Sequence, residues 1–197
     1  MTRRTWLRRA QYVLASVILL APPVTALAPQ AAEAAVPAPA VARALPAGWT
    51  ELQLTSENSG KCMDVAHASG SAGAAVQQYH CNSTEAQWWF QIPVATDSAG
   101  NTYYRFLNAH SGLCLEVAGG STQAGAPMQQ YSCNDWYNQE FRVYGWGRGN
   151  LLVARHSNMC VEVPDSSTDD WVQLRQAGCS LFSNQIWDFE VVIDLRN

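Results

Sequence analysis

The chain has 197 residues, is 48% hydrophobic and 14% charged, and carries a formal charge of −4. That length holds one or two domains. The acidic balance, and the lack of a Lys/Arg cluster beyond the first nine residues, argue against a polyanion such as nucleic acid as partner.

At the N-terminus, Arg3, Arg4, Arg8 and Arg9 precede an almost wholly apolar run from Tyr12 to Ala21, which Pro22 and Pro23 stop. Positive, then apolar, then small residues is a secretory signal pattern. The run is half of the roughly 20 apolar residues that a membrane-spanning helix needs, so no membrane insertion is expected. Residues 1–35 read as a signal peptide cleaved near Ala34 or Ala35, and the mature protein as secreted. Residues 36–48, with Pro37, Pro39 and Pro46, lack apolar periodicity and read as a disordered Pro/Ala-rich leader. Processing removes four of the 12 basic and one of the 16 acidic residues, leaving a formal charge of −7.

From Trp49 onward, short alternating runs such as Tyr103 to Leu107 and Met128 to Tyr131 are separated by turn residues, the texture of strands and tight turns. One pattern occurs three times. Ser59-Gly60-Lys61-Cys62-Met63-Asp64-Val65 is followed by Cys81 and Gln87-Trp88-Trp89. Ser111-Gly112-Leu113-Cys114-Leu115-Glu116-Val117 is followed by Cys133 and Gln139-Glu140-Phe141. Ser157-Asn158-Met159-Cys160-Val161-Glu162-Val163 is followed by Cys179 and Gln185-Ile186-Trp187. In every copy the cysteines lie 19 apart, and the second lies 6 before the Gln. Such repetition sets the architecture: about four strands per copy, with repeats at about 49–98, 99–147 and 148–193 in one domain over 49–197. Six extra residues in the first copy map to a surface loop at 96–101.

Six cysteines in an exported chain point to disulfides. Sequence alone permits 15 connectivities, but equivalent repeats must pair alike, giving Cys62–Cys81, Cys114–Cys133 and Cys160–Cys179. Zinc sites use closely spaced cysteine pairs, and none is closer than 19 here, so no metal is expected. Trp89, Phe141 and Trp187 recur in step with Leu54, Phe106 and Leu152, each eight before its first cysteine, and form the expected shared core. The partner residues Gln87, Gln139 and Gln185 are expected to hydrogen-bond local backbone.

These elements, with Val76-Gln77-Gln78-Tyr79-His80-Cys81-Asn82, resemble the ricin B-type lectin domain, also known as the family 13 carbohydrate-binding module, over about residues 49–193. The resemblance implies an all-β fold, a β-trefoil of three four-stranded units with pseudo-threefold symmetry, and up to three shallow sugar pockets. In that family a pocket takes an acid two positions after the first cysteine, a polar residue four before the second, an aromatic two before it, and an Asn ahead of the triplet Gln. A sugar offers vicinal hydroxyls and an apolar C–H face, which a carboxylate, amides and a ring complement. Repeat one supplies Asp64, Gln77 and Tyr79, with Asn82 and His80 nearby, but Ala86 in place of the Asn. Repeat two supplies Glu116, Gln129, Tyr131 and Asn138. Repeat three keeps Glu162 and Asn184 but has Arg175 and Ala177, so its pocket is expected to be silent. The plain alternative is that the acids are solvated at strand edges and the tyrosines pack.

No His-Glu-x-x-His or Gly-x-Ser-x-Gly pattern occurs, so neither catalysis nor a cofactor is expected. The expected function is non-covalent recognition of glycan or polysaccharide by a secreted monomer. The rivals are a trefoil that acts as a protein-interaction or inhibitor module without sugar binding, and the targeting module of a separately encoded hydrolase or toxin.

Overall fold

A computed structural model describes residues 46–192; the expected signal peptide over 1–35 and most of the expected leader over 36–48 lie outside the described residues. The strands are β1 (Thr50–Ser56), β2 (Cys62–Val65), β3 (Val76–Tyr79), β4 (Trp88–Thr96), β5 (Thr102–Asn108), β6 (Cys114–Val117), β7 (Met128–Tyr131), β8 (Phe141–Trp146), β9 (Gly149–Ala154), β10 (Cys160–Glu162), β11 (Val172–Gln173), β12 (Arg175–Ala177) and β13 (Trp187–Val191). The count exceeds the expected dozen because the third strand of repeat three breaks in two at Leu174.

Six strands close a ring of antiparallel pairs: β1 with β4, β4 with β5, β5 with β8, β8 with β9, β9 with β13, and β13 back to β1. The hairpins β2–β3, β6–β7 and β10–β12 join this barrel through β1, β5 and β9. A six-stranded barrel with three hairpins is the expected β-trefoil. The extra residues of repeat one form the β4–β5 turn, where Asp97 accepts the Ala99 and Asn101 backbone N–H groups, both at 2.9 Å.

Leu54, Trp89, Phe106, Phe141, Leu152 and Trp187 are fully buried in one core. Each such side chain contributes roughly 1.5–3 kcal/mol by leaving water. Two indoles also satisfy their N–H: Trp89 donates to the Met63 carbonyl and Trp187 to the Val161 carbonyl, both at 3.2 Å. All three cysteine pairs are bridged as expected, with Cα atoms 5.1 Å apart.

The repeats are clasped to one another by three fully buried glutamines, Gln78, Gln130 and Gln176. Gln130 Nε2 donates to the Ser69 and Ser71 carbonyls of repeat one, at 2.7 and 2.9 Å. Gln176 donates to Ser121 and Gln123 of repeat two, and Gln78 to Ser167 and Asp169 of repeat three. Each Oε1 accepts the hydroxyl of the Ser in the Ser-Gly or Ser-Asn turn, Ser111 for Gln130 at 2.7 Å. The clasp thus runs around the threefold ring and closes from the last repeat onto the first.

Candidate functional site

Each first hairpin pairs its acid directly with the polar residue across the ladder: Asp64 opposite Gln77, Glu116 opposite Gln129, Glu162 opposite Arg175. The strand period places these side chains on one face while Met63 and Val65, Leu115 and Val117, or Val161 and Val163 enter the core. All three acids are buried, at 4%, 4% and 6% exposure.

In repeat one, Gln77 Nε2 donates to Asp64 Oδ1 at 2.9 Å and Gln87 Nε2 to Oδ2 at 3.1 Å. In repeat two, Gln129 donates to Glu116 Oε1 at 2.7 Å, and Gln139 to Oε2 at 2.8 Å. The triplet glutamines bond local backbone as expected, Gln87 to the His80 carbonyl and Gln139 to that of Ser132. They also hold the acid, a role that the spacing did not show. Asn138 donates to the Val117 carbonyl at 3.0 Å, and its buried Oδ1 has no partner in the protein. Ala86 removes that group from repeat one.

In repeat three, Arg175 Nε bonds Glu162 Oε1 at 2.8 Å and its Nη2 reaches Asp165 at 3.2 Å. The guanidinium occupies the place of the amide and pairs the acid with a positive charge, where Asp64 and Glu116 meet amides.

A cavity of about 230 Å³ opens beside Asp64, bordered by Tyr79, Asn82, Thr84 and Ala86. Asn82 borders it, but its Oδ1 accepts the Thr84 backbone N–H and hydroxyl. Tyr131 of repeat two is 44% exposed, with an open ring. Tyr79 is half-buried, its ring centroid 4.0 Å from that of His80 and 4.2 Å from that of Trp171.

Trp171 and His67 also border this cavity and were not among the expected site residues. Their contacts run between repeats, which spacing within a repeat cannot reveal. One signal was present: eleven positions after the first cysteine, repeats one and two have Gly73 and Gly125, and repeat three has Trp171. Likewise Trp136, 70% exposed, stands in repeat two where repeat one has Thr84.

No curated protein matches the chain. Among solved structures it is similar to the designed threefold-symmetric protein ThreeFoil, at 36% identity and a TM-score of 0.66, over 73% of this chain and 99% of that one. It is similar to an exo-β-1,3-galactanase from Clostridium thermocellum at 30% identity and a TM-score of 0.66, over 73% of this chain but 30% of the enzyme. The Rhizoctonia solani agglutinin, at 16% identity and a TM-score of 0.64 over 76% of this chain and 98% of that one, shares the fold. The family model described as ricin-type beta-trefoil lectin domain-like matches residues 46–131 and again residues 90–176, successive windows on the same repeat. On that match and on the cyclic barrel that carries it, the chain belongs to the ricin-type β-trefoil lectin domain family.

Proposed function

We propose that the protein is a secreted lectin that binds glycan or polysaccharide, without altering it, through Asp64, Gln77 and Tyr79 with Asn82 in repeat one and Glu116, Gln129, Tyr131 and Asn138 in repeat two. The observation that carries this reading is a pair of buried carboxylates held by amides alone. Among the described residues, the ion-paired site acid is Glu162, on Arg175. Burying a carboxylate without a counter-charge is costly unless its acceptor capacity is filled. Asp64 and Glu116 each receive an amide on both oxygens and keep further lone pairs, which suit neutral donors such as sugar hydroxyls. The partnerless Asn138 Oδ1 adds an acceptor in repeat two. Residues 1–35 as signal peptide, 36–48 as leader and an oxidising destination accord with three bridges. Two modest sites on one rigid domain favour a polymer over its monosaccharide through effective concentration.

The name of the galactanase relative makes β-1,3-galactan the first polysaccharide to try, beside xylan, arabinan and β-glucan. In affinity electrophoresis the wild-type protein should be retarded by at least one of the four. The Asp64→Ala/Glu116→Ala pair should run freely while keeping a cooperative melt, and Glu162→Ala should behave as wild type. Unretarded wild type across the panel refutes the lectin reading and favours a trefoil that docks protein.

A further inference from the structure

Trp171 has φ +68°, in the left-handed region, where Gly73 and Gly125 of the other repeats sit at +84° and +85°. For a bulky side chain that conformation is a genuine outlier, of the kind held in place at functional sites. Its backbone role is shared by all three: Gly73 donates to the Gln130 carbonyl, Gly125 to that of Gln176, and Trp171 to that of Gln78. The turn therefore does not need the indole. A second departure accompanies it. The preceding residue is Ala72 and Ala124 in repeats one and two but Asp170 in repeat three. Asp170 accepts the His80 backbone N–H at 3.0 Å, meets His80 Nδ1 at 3.1 Å and pairs with Lys61 Nζ at 2.7 Å. An Ala-Gly pair is thus replaced by Asp-Trp, the Asp anchoring the turn to repeat one and the Trp lying over that repeat's pocket.

Tyr79 has neighbours on its ring at 4.0 Å, His80, and 4.2 Å, Trp171. Rings side by side in one plane cannot come so close, so His80 and Trp171 pack over the Tyr79 ring, tilted by 40° and 44°, and restrict the stacking of a ligand on it. The indole, stacked also on His67 at 5.4 Å, remains 53% exposed. It borders both the cavity beside Asp64 and a second one of about 550 Å³ lined by Ala66, Ala74, Gln77 and Gln173, and His67 likewise touches both. The cavity at Asp64 alone, about 230 Å³, falls below the roughly 300–1,000 Å³ of ordinary ligand pockets; the joined pair falls within that range.

We propose that Trp171, delivered from repeat three, replaces Tyr79 as the stacking platform of repeat one and joins the two cavities into a cleft for at least two consecutive sugar rings of a glycan chain. One ring sits against Asp64 and the next against Gln77 and Gln173 across the indole. The inference rests on the lectin reading above. It distinguishes repeat one, a chain-reading cleft, from repeat two, where Gly73 brings no side chain and Tyr131 stays open.

The test uses the secreted protein carrying Tyr131→Ala, which leaves repeat one as the binding site. The probes are galactose, β-1,3-galactobiose and β-1,3-galactotriose, with the matching xylose series, by titration calorimetry. Affinity should rise at least about tenfold from mono- to trisaccharide. Trp171→Gly, which restores the residue of the sister repeats, should abolish that gain and lower trisaccharide affinity about tenfold, while Trp171→Phe retains most of it. The melting temperature of Trp171→Gly should stay within about 3 °C of its parent, since relief of the strained backbone offsets lost packing. Unchanged trisaccharide binding in Trp171→Gly, affinity independent of chain length, or a melting temperature lowered by many degrees overturns the inference alone. A parent that binds none of these sugars overturns the inference alone when the wild-type protein is retarded by one of the four polysaccharides, and the lectin reading with it when the wild type is retarded by none.

Discussion

Asp64 has a carboxyl pushed above the ordinary aspartate value of 3.8 by burial, an effect only partly opposed by the Gln77 and Gln87 amides and by the charges of His80 and His67. His80 is itself bonded to Asp170. In the proposed binding mode a sugar hydroxyl donates to the ionised acid, so affinity at repeat one should fall as pH drops through that raised value, beginning above pH 3.8. The sign for stability is the opposite. The folded state takes up this proton more readily than the unfolded chain, so protonating Asp64 does not weaken the fold. Binding should therefore be lost on acidification before the fold is. Titrations of Tyr131→Ala from pH 7 to 4, repeated with Asp64→Asn added, check it; an affinity unchanged down to pH 4 would refute the role of the acid. At this scale the sequence was informative where chemistry is local. The acid and its cross-strand partner follow from their distances to the cysteines. Trp171 does not, because it meets Tyr79 across 92 positions and nothing in a repeat says which neighbouring turn covers it.

Among elements, the clasp glutamines matter as much as the bridges. Gln130 is fully buried and ties Ser69, Ser71 and Ser111 to one amide. Gln130→Ala removes a fully buried amide and its three side-chain hydrogen bonds, to the Ser69 and Ser71 carbonyls and from the Ser111 hydroxyl, and at roughly 1 kcal/mol each should cost about 3 kcal/mol, read as a shift in the urea midpoint at unchanged slope. A loss under about 1 kcal/mol would mean that water replaces the amide. Gln78, Gln130 and Gln176 stand beside the site residues at positions 77, 129 and 175 in the sequence, yet the strand period sends them to the opposite face, toward the adjoining repeat. Their recurrence was visible; their partners, some 53 to 91 positions away, were not. The Ser-Gly turns gain their physical reason here, since Ser59, Ser111 and Ser157 each donate to a clasp.

For the whole molecule, the threefold period was legible because equal cysteine intervals, triplets and core positions all repeat together, and the closed barrel follows once three equivalent units must share one core. The closure between ends is β1 on β13, with Leu52 opposite Val191 and the Val192 N–H on the Glu51 carbonyl at 3.0 Å. Joining residue 192 to residue 46 through a short linker and opening the chain in the exposed β4–β5 turn at 97–101 should therefore give a permutant that folds, forms the same three bridges and melts within about 5 °C of the parent. A permutant that aggregates or scrambles its bridges would show that order along the chain, not only the closed ring, is required.

The closing contact of the ring has a temporal meaning. Asp64, Gln77 and Tyr79 leave the ribosome early, but the turn of Asp170 and Trp171 that packs over Tyr79 is made about 90 residues later. Translation proceeds at about 5–20 residues per second, so the first pocket stays unroofed for several seconds of synthesis. The earliest candidate site to be encoded is the last to be finished, and a chain cut short before residue 170 would carry Asp64, Gln77 and Tyr79 without the Asp170–Trp171 turn that packs over them.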